Sequence, residues 1–405
     1  MNKYSLTNIE TDEDLEEYLQ LMRTIFGEND GVDVMVKRLL ENYPGFNWKS
    51  IFVVKHESKI IASLNIIPQT WSIGGIPLKA AEMGMVATLS EYRKQGFQRI
   101  LNKEYEKRLR EEGYIISVIE GIPYFYRQFG YEYTIPLDVE TRIPTNKIPN
   151  YNQSLKIRIF KEEDLPRATE LLQETQKKYL VHSIRQDEIW AVQCRTGWQG
   201  DWPFEGYLAE EKGVITAYFR LSKKEGNLYL IEVSETDQDT AESILGFLKA
   251  YAWDRGLAEL VSRVSHNEPF TQTLTSIGGE RNKPYAWQVK VIDHLRLFEK
   301  LAPLFERRLA SSPYRRLTDK VKFNLYRRCI SLDILEGKIK EVSPCDGLRC
   351  DEIRINHEVF SQLLLGSRSV NELLEIYRDV SIKPRYTMLV DVLFPKGVSF
   401  IHPLY

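Results

Sequence analysis

Between Ala80 and Ile119 the hydrophobic period changes twice, and no other stretch constrains the fold as much. Ala80-Ala-Glu-Met-Gly-Met-Val-Ala-Thr-Leu89 is small and mostly apolar, as a buried strand would be. From Lys94 the spacing becomes helical. Phe97, Ile100, Leu101, Tyr105 and Leu109 share one face, while Glu104, Lys107, Arg108, Arg110 and Glu111 cover the other. Gly113 stops this helix, and Tyr114-Ile-Ile-Ser-Val-Ile119 begins a further strand. The turn between the first strand and the helix, Arg93-Lys-Gln-Gly96, is basic and contains glycine. A helix that starts there offers unpaired backbone N–H groups and a positive dipole end to an anion.

A second motif follows at Phe125-Tyr126-Arg-Gln-Phe-Gly130-Tyr131, where a phenol stands beside a glycine-closed turn. A phenol can hydrogen-bond or protonate a leaving group. Anion cradle and acid together point to acyl transfer from a phosphorylated carrier. An Arg/Gln-x-x-Gly string alone recurs roughly two or three times by chance in a chain of this size. Its place at a strand-to-helix junction is what gives it weight. The plain alternatives are a glycine that only eases a helix start, and a core ring at Tyr126.

The strand, the Arg93-x-x-Gly96 turn and the Phe125–Tyr131 segment resemble the GNAT superfamily of acetyl-CoA-dependent N-acetyltransferases. The resemblance implies that Lys94, Gln95, Gly96, Phe97, Gln98 and Arg99 hold the pyrophosphate of coenzyme A. It implies that Val86, Ala87 and Thr88 face the pantetheine arm, that Gly121 and Ile122 form part of the cofactor wall, and that Tyr126 is the general acid. Most members carry Gly or Ala where this chain has Gln98. The enhanced-intracellular-survival (Eis) branch, with tandem domains, tolerates a bulky residue there. That branch uses a terminal carboxylate as base, which here implies Tyr405. Glu82, in the strand before the pantetheine segment, is the competing base. A terminal carboxyl has a low reference pKa and needs desolvation or a relaying water to serve.

The 405 residues exceed one ordinary core, so two or three domains are expected. With 43% hydrophobic and 28% charged residues the chain is of the folded, globular kind, and a net charge of −2 argues against a general nucleic-acid binder. No apolar run reaches membrane-spanning length and the N-terminus lacks an apolar signal core, so the expectation is a cytoplasmic protein with no membrane partner. Cys345-x4-Cys350 lacks a second ligand pair and reads as reduced structural thiols; no metal is implied.

The front of the chain repeats. Asp12-Glu-Asp-Leu15 opens a helix with Thr11 or Asp12 as N-cap, and Lys161-Glu-Glu-Asp-Leu165 repeats the pattern about 150 residues later. In the second copy Leu274 stands in place of Tyr126, and the acidic Asp237-Gln-Asp-Thr240 replaces the basic turn as a helix cap. The expected fold is mixed α+β and α/β: a catalytic GNAT domain over 1–149, a degenerate GNAT-like domain over 150–286, and a domain over 287–405. The last resembles the sterol-carrier-like domain of Eis-type proteins, and its C-terminus is expected to return to the active site. A strand at Gln288–Ile292, a helix from Leu295 to Arg308, a helix His357–Leu365 and a capping box Ser369-x-x-Glu372 are expected there.

The expected function is acetyl transfer from acetyl-CoA, as co-substrate, to a primary amine: a polyamine, an aminoglycoside-like compound or a lysine. Glu28, Asp30 and Asp33 would supply negative charge. The family resemblance implies a homo-oligomer, trimer or hexamer. The rival of another class is a non-catalytic assembly or lipid-carrier protein on the same folds.

Overall fold

A computed structural model describes residues 4–28, 30–137, 140–283, 285–347 and 350–405. The chain divides into two compact units. The first comprises Met1–Ile135, Tyr179–Ile184 and Trp287–Ile401, and the second Pro136–Lys178, Arg185–Ala286 and His402–Tyr405.

The main sheet of the first unit runs, edge to edge, Tyr4–Asn8, Ile51–His56, Lys59–Ile73, Ile76–Thr88, Ile116–Ile119, Tyr285–Val291 and Glu132–Leu137. The sheet of the second runs Lys156–Ile159, Glu205–Glu211, Val214–Lys224, Asn227–Val233, Glu259–Ser262, Thr141–Pro144 and Glu280–Arg281. The fourth and fifth strands are parallel in both sheets, and the sixth is antiparallel to the fifth in both. Each fourth strand also carries a β-bulge, between Gly84 and Ala87 in one sheet and at Ile231 in the other.

The expected boundaries at 149/150 and 286/287 do not match these units. Thr141–Pro144 is a strand of the second sheet, and Gln288–Val291, expected in a separate third domain, pairs with Ile116–Ile119 in the first. The cause is the sixth sheet position. In each sheet the fifth strand pairs on its outer side with a strand drawn from beyond the expected boundary, which leaves no edge there to pair with another chain.

Local signals explain the helices. Thr11 caps Asp12–Phe26 by accepting from the Asp14 N–H, and Ser369 with Glu372 forms the expected capping box before Val370–Ile376. The 287–401 region adds helices His294–Ala310 and His357–Leu364 and a five-stranded sheet. One expectation is corrected here: Cys345 is not a reduced thiol but is disulfide-bonded to Cys329, while Cys350 is free and buried. Strand register is the reason. Ile330 pairs with Pro344 across a hairpin, which sets Cys329 opposite Cys345, a relation that sequence spacing does not reveal.

Among the described residues no helix is long and apolar enough to cross a membrane, and no group of three or more His, Cys, Asp or Glu side chains is placed to hold a metal ion.

Candidate active site

The site begins where two parallel strands part. Ile76–Thr88 pairs with Ile116–Ile119 only through Ala80, Ala81 and Glu82. On its other side, against Lys59–Ile73, the register shifts between Asn65–Gly84 and Ser63–Ala87, so the fourth strand carries an extra residue. Met85, within this bulge, has φ +46, a left-handed conformation that side chains rarely adopt. The bulge bends the strand beyond the last parallel pair. There Val86, Ala87 and Thr88 line a cavity of about 740 Å³.

The basic turn closes one end of that cavity. Lys94 and Gly96 both take positive φ, at +63 and +86. A methyl group at Gly96 would meet nothing within 4 Å, so glycine serves the backbone conformation there rather than a close contact. Helix Phe97–Glu111 starts at this point with Gly96 as N-cap and no side-chain cap. Among the described residues the amides of Gln95, Gly96, Phe97 and Gln98 donate to no protein acceptor, whereas the next amide, of Arg99, donates to the Gly96 carbonyl. Arg93, Lys94 and Arg99 stand around them on the cavity wall. Unpaired amides, a positive dipole end and three cationic side chains make a cradle for a phosphorylated group.

The bulky Gln98 side chain is held against the bulged strand. Its Nε2 donates to the carbonyl of Ala87 at 2.8 Å and lies 3.0 Å from Thr88 Oγ1, tying the helix start to the bulged strand.

Tyr126 sits in the short helical turn Phe125–Phe129, closed by Gly130 at φ +84. It is 6% exposed and lines the cavity with Ile122, Phe125, Gln128 and Phe129. Its ring meets Phe125 edge-on at 5.0 Å and Tyr131 at 6.1 Å. Gly121 flanks it so closely that a Cβ there would lie 2.2 Å from the ring. Tyr105 and Tyr131 share the Ser117 hydroxyl at 2.7 and 2.6 Å, and burial pushes both phenols above their usual pKa. They are packing tyrosines, and Tyr126 is the tyrosine of the 125–131 motif that faces the cavity.

Residues 8–134 match the sequence family described as acetyltransferase (GNAT) domain. That segment is similar to GNAT acetyltransferase domains. Its match spans the bulged strand, the basic turn and Tyr126. Solved structures similar to the whole chain include a GCN5-related N-acetyltransferase from Anabaena variabilis, with 16% identity, TM-score 0.76, and 99% of this chain and 100% of that one covered. Eis1 from Mycobacterium abscessus matches with 11% identity and TM-score 0.66, over 99% and 100% of the two chains. N-myristoyltransferase from Saccharomyces cerevisiae, solved with myristoyl-CoA, matches at 14% identity and TM-score 0.52 over 71% of this chain and 83% of that one. At these identities the likeness is one of fold. A comparison with curated protein sequences gives no match.

Within the matched segment, Val86, Ala87, Thr88, Lys94, Gly96, Phe97, Gln98, Arg99, Ile122 and Tyr126 line the cavity together. Gln95 is in the turn but not on the wall, its side chain donating to the Glu91 carbonyl, and Gly121 acts through the Tyr126 ring. Ile25 and Phe26 also line the cavity and were missed. They end the helix Asp12–Phe26, and their apolar spacing marks them only as part of a core stripe. Tyr92, Arg93, Phe125, Gln128 and Phe129 complete the wall, all adjacent in sequence to the two motifs.

Glu82, at the last parallel pair, is 6% exposed and accepts from Gln69 Nε2 at 2.5 Å, while Gln69 in turn accepts from Trp71 Nε1. Tyr405 belongs to the second unit, where its carbonyl lies against Gly200 and the cavity-lining residues do not include it. The preceding residues are tied down there too. The Leu404 carbonyl accepts from Gln193, and the Pro403 carbonyl accepts from Arg185 and Gln199.

In the second unit Asp237 is the N-cap of helix Gln238–Asp254, accepting from the Thr240 N–H at 2.8 Å. Leu274 is fully buried in helix Pro269–Ser276.

Proposed function

We propose that the chain transfers acetyl from acetyl-CoA to a primary amine, in the cavity of the first unit. The observation that carries this reading is the convergence on one wall of the unpaired amides at Gly96–Gln98, the strand edge Val86–Thr88 and the phenol of Tyr126. In this reading the turn Lys94–Arg99 holds the pyrophosphate, and the strand edge pairs with the pantetheine amides. Gly121 and Ile122 wall the thioester end. The amine attacks the thioester carbonyl, a backbone N–H of 86–88 meets the oxyanion, and Tyr126 gives its proton to the departing thiolate. A thiol's reference pKa of about 8.5 lies below a phenol's of about 10, so this transfer depends on a poorly solvated thiolate, which the apolar wall favours.

For the amine's proton we assign Glu82, at the point where the strands part though not itself on the cavity wall, with the Tyr405 carboxyl as the competing assignment. The acceptor class, a polyamine, an aminoglycoside-like compound or a lysine, belongs to the same proposal. So do the tandem arrangement with a non-catalytic second GNAT-like unit, a sterol-carrier-like 287–405 region, a homo-oligomer and a cytoplasmic setting. The shared strand order of the two sheets supports the tandem reading.

The test is release of free thiol from acetyl-CoA across a panel of amines, with Tyr126→Phe beside the parent. Amine-dependent release that falls about 10²–10⁴-fold in the variant, with acetyl-CoA still bound, is expected of a general acid. Binding without turnover on any amine would leave the non-catalytic rival in its place.

A further inference from the structure

The strand Tyr285–Val291 reaches the first sheet from sequence remote from the GNAT match, pairing antiparallel with Ile116–Ile119. Gln288 and Lys290 are two apart on it and so share a face, opposite Ile119 and Ser117. Each reaches one end of the loop that carries Tyr126. Gln288, fully buried, donates from Nε2 to the Gly121 carbonyl at 2.8 Å. Lys290 donates from Nζ to the Phe129 carbonyl at 2.5 Å and to Glu106 Oε1 at 2.5 Å. Glu106 is itself fixed by Asn102 at 2.8 Å and Arg110 at 2.9 Å, all on the helix that starts at the anion turn.

We propose that Gln288 and Lys290 are positioning residues that clamp the two ends of the Gly121–Phe129 loop and so aim the Tyr126 phenol at the reacting sulfur. This rests on the reading of Tyr126 as general acid. The Gln288 bond fixes Gly121, where an added Cβ would stand 2.2 Å from the Tyr126 ring. The Lys290 bonds fix the far end of the turn to the helix that begins at the cradle. Loop and anion turn are therefore referenced to one another through a single ammonium group. Buried hydrogen bonds to a charged donor are strong and directional enough for that purpose, and a proton donor has to be held within about 0.5 Å of its productive place.

The test uses the full chain with Lys290→Met, Lys290→Arg and Gln288→Met, each alone and combined with Tyr126→Phe. kcat is measured at saturating amine, and acetyl-CoA affinity by calorimetry. Lys290→Met and Gln288→Met are expected to lower kcat about tenfold or more, while the acetyl-CoA Kd stays within about twofold. Lys290→Arg, which keeps a cationic donor, should recover most of the loss. In the Tyr126→Phe background none of the three should lower kcat further, because there is no longer a proton donor to aim. An equal fractional loss in both backgrounds would make the two residues merely structural and overturn the proposal. Parent-like kcat in the clamp variants beside an inactive Tyr126→Phe would overturn the clamp alone; parent-like kcat in Tyr126→Phe itself would remove the acid and the clamp together. If Lys290→Met does not fold, Gln288→Met, which preserves length and volume, carries the same comparison.

Discussion

Gly121→Ala is the smallest change that should disable the acid without touching the cofactor cradle. Gly121 does not lie at positive φ, so alanine brings no backbone strain. Its Cβ would stand 2.2 Å from two carbons of the Tyr126 ring and 3.2 Å from Gln288 Nε2. Carbon atoms rest about 3.5–4.0 Å apart, so the ring must retreat by roughly 1.3 Å or more. Phe125 and Tyr131 already flank it at 5.0 and 6.1 Å between ring centroids, which leaves the cavity as the direction of escape. Overpacking of this kind costs about 1–3 kcal/mol of stability, well short of unfolding a typical domain. A displacement of about 1 Å at a reacting group costs on the order of 10² in rate. In the thiol-release assay, kcat should therefore fall about 10²-fold while acetyl-CoA affinity holds, because the turn at Lys94–Arg99 lies outside the altered contact. Tyr126→Phe with Gly121→Ala should be no slower than Tyr126→Phe alone. A Gly121→Ala enzyme within about twofold of the parent kcat would refute the placement of Tyr126 as donor.

Three further outcomes follow from the same geometry. Gly96→Glu adds a carboxylate and a side chain at φ +86 where the unpaired amides converge, so calorimetry should show acetyl-CoA binding lost while the far-UV spectrum is kept; unchanged affinity would remove the cradle. Glu82→Gln should lower kcat at constant acetyl-CoA affinity while deletion of Tyr405 does not, and the reverse pattern would move the base to the second unit. His294 is buried with neither ring nitrogen partnered among the described residues, and burial first, then Arg328, His357 and Lys290, lowers its pKa to about 3. The unfolded state binds that proton from about pH 6.5 downward, so the folded state loses stability as pH falls from there to about 3, by roughly 2–3 kcal/mol at about pH 4.5. His294→Phe should flatten that acid limb in denaturant titrations, and parallel pH curves for parent and variant would refute it.

The cavity was legible in the sequence wherever chemistry and chain proximity coincide. Lys94–Arg99 and Val86–Thr88 lie on either side of a single strand-to-helix turn, and a change of period marks that turn. Tyr126 announces itself through Gly130. What sequence did not reveal depends on long-range pairing. Ile25 and Phe26 look like any core stripe until the helix is placed beside the bulged strand. Gln288 and Lys290 alternate with Val289 and Val291 as in any strand, and nothing local says that their strand belongs to the first sheet. Cys329 and Cys345 meet only through hairpin register. In each case local periodicity gives the element, whereas sheet order and register are decided by pairing energies summed over the whole sheet.

The sheet of the second unit shares the strand order of the first, and a helix start in that unit is capped from within the chain. Its helix Gln238–Asp254 also follows a bulged strand and also presents a positive end, but Asp237 occupies that end covalently and its carboxyl is held below the usual range by its bonds to Thr240. The tethered carboxylate satisfies one first-turn amide, that of Thr240, whereas the helix start at Gly96 in the first unit has no side-chain cap. On the bulged strand itself stands Glu232, 1% exposed, paired with Arg185 and lying 3.5 Å from Arg220. Burial would raise the Glu232 carboxyl, yet the two guanidinium groups hold it well below its normal value, so it stays ionised. The arrangement leaves one positive charge in excess, with both guanidinium groups against the Trp190 ring at 4.5 and 4.8 Å and the Pro403 carbonyl accepting from Arg185. Removing Glu232 would strand two buried cations, a loss that typically costs about 3–5 kcal/mol. Charge that the chain itself supplies thus fills the space beside this bulged strand.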